Sequence, residues 1–266
     1  MTRTQKFKID LTKPFHHLRN APIVEAAIEI RARAEVPWDE SSVSQELKAK
    51  LALGYPSVLT QNEFQGETKF IPGQAVESAI RDLKWRGLVF RSGDDRHVAQ
   101  FNRDGFIFSR LRPYENWDQL YGEAMRLWRF YKDVARPTEA QRIGLRFINR
   151  IELGPGELRF EDYIQPAPRP PRAMDLPFVA FFQRDSLEAT GYPYGINVTR
   201  ATQRDTKPVS AGVAVILDID VICFSVADLQ EETLNKTLSE MRWLKNKAFF
   251  GSITNKAIKR FGGLTK

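Results

Sequence analysis

Residues 97–134 read HVAQFNRDGFIFSRLRPYENWDQLYGEAMRLWRFYKDV. Two short apolar stretches, 97–103 and 105–112, are joined by Arg103-Asp104-Gly105, a turn signal of the hairpin kind. The period then changes. Trp117, Leu120, Tyr121, Ala124, Leu127, Trp128 and Tyr131 recur at i, i+3, i+4 spacing, which predicts one long amphipathic helix over 116–134. Arg136-Pro137 stops it. Strands that precede a helix, with no alternation of single strands and helices, point to α+β with antiparallel sheet rather than to βαβ units.

The same grammar extends outward from this stretch. IVEAAIEIRAR at 23–33 alternates apolar Val24, Ala26, Ile28 and Ile30 with Glu25, Ala27, Glu29 and Arg31, a strand with one wet face. Asp39 opens a short helix through about Leu53, and strands follow over 64–71 and 87–91. Residues 142–153 form another strand. The second half repeats the order, with strands over 178–185, 194–202 and 211–222 and a helix of about twenty residues from Asp228. A shorter basic helix covers 253–261. Residues 154–177 hold six of the fifteen prolines, and APRPPR at 167–172 reads as a semi-rigid connector. The expected organisation is an arm (1–20), a first α+β half (21–154), a Pro-rich connector (155–177) and a second α+β half (178–266). Long amphipathic helices pack on one face of the sheet or sheets, because each apolar stripe must leave water.

Composition narrows the class. The chain has 266 residues, 42% hydrophobic and 11% aromatic, enough for a substantial core. One cysteine excludes a disulfide scaffold and fits a reducing cytoplasm. No apolar run approaches ~20 residues, and the charged start MTRTQKFKID has no apolar segment behind it, so neither a membrane helix nor a secretory signal is expected. There is no GxxxxGK[ST], no GxGxxG after a strand and no HExxH, and nothing calls for a cofactor. Cys223, in VICFSV, reads as a buried and inert thiol.

The formal net charge is +7, and residues 241–266 carry seven basic groups and no acidic one. Lys245, Lys247, Lys256, Lys259 and Arg260 therefore form a candidate surface for nucleic acid or an acidic protein partner, with the acidic stretch 218–232 as the alternative compensator within the chain. Lys256, Lys259 and Arg260 share one face of the last helix, opposite Ile253, Ala257, Phe261 and Leu264. A second set, Arg142, Arg146 and Arg150, lies on one face of one strand. It either binds phosphate or carboxylate, or pairs with Glu25, Glu29, Asp218 and Asp220. Asp218 and Asp220 also face the same way, and with Asp185 as a third ligand they are candidates for a divalent metal.

Four stretches together resemble a sporadically distributed, functionally undefined bacterial family of about this length. They are NAPIVEAAIEIR (20–31), RIGLRFINRIEL (142–153), VILDIDV (215–221) and LKNKAFFGSITNKAIKRFGG (244–263). Members often carry a histidine in the helix before the aromatic pair. This chain has Leu244-Lys245-Asn246-Lys247 there, so no role for that histidine carries over. The resemblance implies a bacterial protein of scattered occurrence, as expected of mobile-element or antiviral-defence cargo. The leading expectation is a non-enzymatic binding or accessory protein. A metal-dependent phosphodiester or nucleotide-processing enzyme using Asp218 and Asp220, and a structural subunit of a homo-oligomer, are the alternatives.

Overall fold

A computed structural model describes residues 7–69, 77–153, 159–171, 173, 176–204, 212–225 and 228–263, with side chains at all of these except 64–69 and 77–83. Among them, nine strands form one antiparallel sheet accompanied by four α-helices. In chain order the elements are β1 (Ile23–Arg31), α1 (Glu40–Leu51), β2 (Ser57–Lys69), β3 (Glu77–Arg91), β4 (His97–Asn102), β5 (Gly105–Leu111), α2 (Trp117–Ala135), β6 (Arg142–Glu152), β7 (Phe182–Glu188), β8 (Tyr194–Arg204), β9 (Val213–Cys223), α3 (Glu231–Ser252) and α4 (Asn255–Arg260). The strand order is β2-β3-β4-β5-β1-β6-β9-β8-β7. The hairpins β2–β3 and β4–β5 are local, while β1 inserts between β5 and β6, and β6 hydrogen-bonds β9. The α+β class is as the sequence predicts.

Register assigns each side chain to a face, because neighbours alternate along a strand. Ile28 lies opposite Phe108 and Leu145, Leu145 opposite Val221, and Val221 opposite Ile196. This row is buried. Phe106 on the same face meets Trp128 and Tyr131 of α2, and Phe147 lies beneath Lys245 of α3. Leu120, Leu127, Trp128 and Tyr131 are all buried, as are Leu234, Leu238 and Met241. The first four belong to the apolar stripe that helical spacing picks out of α2. Truncating such a side chain costs roughly 2–5 kcal/mol.

Local chemistry sets the element ends. Asp39 accepts from the Ser42 backbone N–H at 2.9 Å and Asn116 from that of Gln119 at 2.9 Å, so α1 and α2 each begin on a capping side chain. The β4–β5 turn requires glycine. Gly105 sits at φ +151°, and a Cβ there would meet the Ile30 carbonyl oxygen at 2.6 Å.

The differences from expectation are informative. β3 runs from Glu77, not 87, and pairs along the whole of β2. β7 begins at Phe182, because the apolar run before it folds as an aromatic cluster: Phe178 and Phe181 pack edge-on against Phe160. In the described part of the Pro-rich stretch, Phe160 and Ile164 are buried and Ile164 bridges to Ile253. Leu264, expected to pack inward, lies outside the described residues. No described helix is long and apolar enough to cross a membrane.

Candidate functional site

The face of the sheet opposite the buried row carries the expected arginines. Arg146 grips Asp218 with two parallel bonds of 2.9 and 2.6 Å. Arg142 reaches Glu29 at 3.3 Å and Asp220 at 4.0 Å, and Arg150 reaches Glu152 at 3.0 Å. Neighbouring strands thus supply the opposite charges for Arg142 and Arg146, β6 itself supplies Glu152 to Arg150, and the row is a lattice of ion pairs within the chain.

The metal reading is corrected on the same geometry. Asp185 pairs in register with Val198, and Val198 with Ile219, so Asp185 lies on the helix side. Asp218 and Asp220 flank Ile219 and face the other way. Asp185 is held instead by Arg200 at 2.7 Å. Among the described residues no three of His, Cys, Asp and Glu are grouped to hold a metal ion.

The basic C-terminus does not form one surface either. α4 presents Lys256, Lys259 and Arg260 outward and buries Ala257 and Ile258, with Ile253 and Phe261 also buried, as its periodicity predicts. Within the chain, the acid bonded to this face is Asp162 and not one from the 218–232 stretch. Lys256 bonds Asp162 at 2.6 Å, holding that carboxyl below its usual range. Arg260 donates to the Glu152 carbonyl at 2.8 Å and lies over the Tyr163 ring. Lys259 is exposed, and Lys247 sits 5.4 Å above the Trp243 ring.

Lys245 differs from all of these. It lines a cavity of about 430 Å³ walled by the N-terminal arm at Pro14–Arg19, the start of α2 and the middle of α3. Its ammonium lies 4.0 Å from the centroid of the Phe147 ring, and no described residue gives it a hydrogen bond or an ion pair. One flank of the residue opens on the cavity, yet the packed protein strips water from the ammonium. That desolvation, with the nearby Arg242 charge adding to it, pushes Lys245 down to about 7. Arg242, one helical turn earlier, also lines the cavity and is likewise unpaired among the described residues, its guanidinium lying over the Trp117 ring.

Other polar groups converge here. Tyr114 stands edge-on to Phe147, and burial pushes its phenol up to about 12, so it remains a hydroxyl donor. Asn149, 1% exposed, lines the cavity floor and anchors itself to the Leu217 carbonyl at 2.9 Å. Asn246 and His16 lie on the rim, with His16 near the Phe250 ring. Asn116 and Trp117 bring the N-terminus of a 19-residue helix to the wall, the positive end of its dipole. Glu115 also lines the cavity, but Arg110 holds it at 3.0 Å.

No protein-family model and no curated protein matches the chain.

Of the residues singled out in the sequence, only Lys245 belongs to this site. Arg242, Tyr114, Asn149 and Asn246 were missed. One signal was available: Arg242 and Lys245 are i, i+3 on α3, a like-charge pair on one face with no acid one turn away on either side.

Proposed function

We propose that the protein is a non-enzymatic binding protein that holds a nucleoside phosphate, free or at the end of a nucleic-acid strand, in the cavity beneath its N-terminal arm. The observation that carries this reading is the pair of unpaired cations, Lys245 and Arg242, opening on one cavity. Two positive charges on adjacent turns repel each other, and an anion between them removes that penalty. The α2 N-terminus, the Tyr114 hydroxyl and Asn246 favour a phosphate with several acceptor oxygens. The rings of Phe15, Phe250 and Trp117 line the same space and suit the face of a base. Around 430 Å³ lies within the range of small-molecule sites.

The same reading takes residues 21–154 and 178–266 as two halves joined by the 155–177 connector. Their long helices cover one face, and Pro14–Arg19 of the arm close the cavity. Resemblance to a scattered bacterial family supports a cytoplasmic accessory role in a mobile-element or defence system. A homo-oligomer is the second reading, favoured by edge strand β7 and its approach, where Phe182 is 73% and Leu187 53% exposed.

Calorimetric titration with inorganic phosphate, AMP and a short single strand with and without a 5′-phosphate tests the first reading. AMP or the 5′-phosphorylated strand binds the wild type and loses at least tenfold in Lys245→Met. No binding by any phosphate probe, or equal binding by the variant, overturns it.

A further inference from the structure

On the other flank of α3 lies a second cavity, of about 410 Å³, between the β7–β8 end of the sheet and the last turns of the helix. Its walls are largely aliphatic: Leu187, Ile196 and Val198 from the sheet, Leu244 and Ala248 from α3. Phe7 of the arm closes one side. One buried guanidinium interrupts this lining. Arg200 is 3% exposed and lies on the helix side of β8. Its Nη1 donates to the carbonyls of Gln165 and Pro166 at 3.4 and 3.2 Å, and its Nη2 to Asp185 at 2.7 Å. Its Nε–H is buried and has no partner among the described residues.

Three bonds fix the guanidinium plane, so the unused donor is held in place before any ligand arrives. A buried donor left unmet destabilises the folded chain. An acceptor oxygen delivered into the cavity would relieve that. Charge then selects the kind of acceptor. The ionisable side chains at the cavity are Arg200, Asp185, Glu188 and Lys247, two of each sign, so no net field draws an anion in. Asp185 already pairs with Nη2 and two carbonyls with Nη1, so Arg200 offers a newcomer the single Nε–H and not an open two-donor fork. We propose that this cavity binds a neutral, mainly aliphatic small molecule with a single carbonyl oxygen, which accepts from the Arg200 Nε–H. This site stands independently of the phosphate cavity and uses none of its polar groups.

The test uses 2-nonanone as the probe and nonanoate as its charged counterpart, both titrated against the full chain. The ketone is expected to bind and the carboxylate to bind at least tenfold more weakly. Ala248→Leu, which fills the cavity without touching Arg200, is expected to weaken the ketone at least tenfold while thermal unfolding stays cooperative. Arg200→Lys keeps a charge for Asp185 and removes the Nε donor; if it folds, it loses ketone affinity. Lys245→Met binds the ketone as the wild type does. No ketone binding by the wild type, equal ketone binding by Ala248→Leu, or nonanoate as tight as the ketone would each overturn the proposal.

Discussion

Two basic clusters among the described residues, the arginine row of β6 and the Arg242–Lys245 pair of α3, have opposite character. On the open side of the sheet, Arg142, Arg146 and Arg150 meet Glu29, Asp220, Asp218 and Glu152. On the helix side, Arg242 and Lys245 share a cavity with no acid bonded to either among the described residues. Residue composition ranks the arginine row higher, since guanidinium forks suit phosphate best. Pairing reverses the ranking. A cation already ion-paired by its own chain has less to offer a ligand than an unpaired one, above all the desolvated Lys245.

The largest effect that sharpens this contrast is on phosphate affinity. Lys245→Met is expected to weaken AMP by about a hundredfold, or about 2.7 kcal/mol. Arg146→Met is expected to change it less than twofold. Similar losses from the two would erase the distinction, and parallel calorimetric titrations decide it.

The next effect is on pH dependence. The Lys245 pKa falls from 10.5 in the unfolded chain to about 7 in the folded protein. Between those values the unfolded chain binds more protons, so stability rises with pH from about 7 to about 10.5. Below about 7 the penalty of the buried charge is fully present. Denaturant titrations of the ligand-free protein should show this rise, and Lys245→Met should flatten it. Phosphate affinity runs the other way, falling as pH passes upward through 7 and Lys245 loses its proton.

A smaller effect belongs to the open face. Arg146→Met leaves Asp218 without its bidentate partner. The guanidinium is half exposed, so the expected loss of stability is only about 1 kcal/mol. A loss of 3 kcal/mol or more in urea unfolding would mean that the ion-pair lattice holds the sheet together. Smallest is a control that touches neither cluster. Gly122, exposed within α2, would place a new Cβ with nothing within 4 Å. Gly122→Ala should therefore stabilise by about 0.4–1 kcal/mol and leave binding alone.

The sequence was most legible where one period dominates. The α2 stripe and the β1 alternation each need only local spacing, and their buried residues follow directly. Two thirds of β3 was missed because ESAIRDLKWR, its first ten residues, mixes charge and apolar groups without alternation; its pairing with β2 decides its state. At 178–181 the apolar run suggested a strand, but aromatic packing on Phe160 claimed it. The site was legible only in part for the same kind of reason. Lys245 and Lys256 look alike in a run of basic residues. What separates them is Asp162, 94 positions from Lys256 in the chain and bonded to it in space. Likewise, strand periodicity put Asp218 and Asp220 together, but only register could send Asp185 to the opposite face.

The N-terminal arm gives these two cavities a common wall. Phe7 and Phe15 both pack edge-on against Trp243, the first bordering the aliphatic cavity and the second the phosphate cavity. The arm is tied down at its ends, by the Ile9 N–H on the Tyr192 hydroxyl and by the Asn20 N–H on the Phe261 carbonyl. Occupants on either side of α3 would therefore bias the same segment. In thermodynamic language the two sites are linked: whatever factor one occupant imposes on the other's affinity, the other must return unchanged. A wall shared in this way gives any effect of one occupant on the other a physical route, through a segment that both cavities touch.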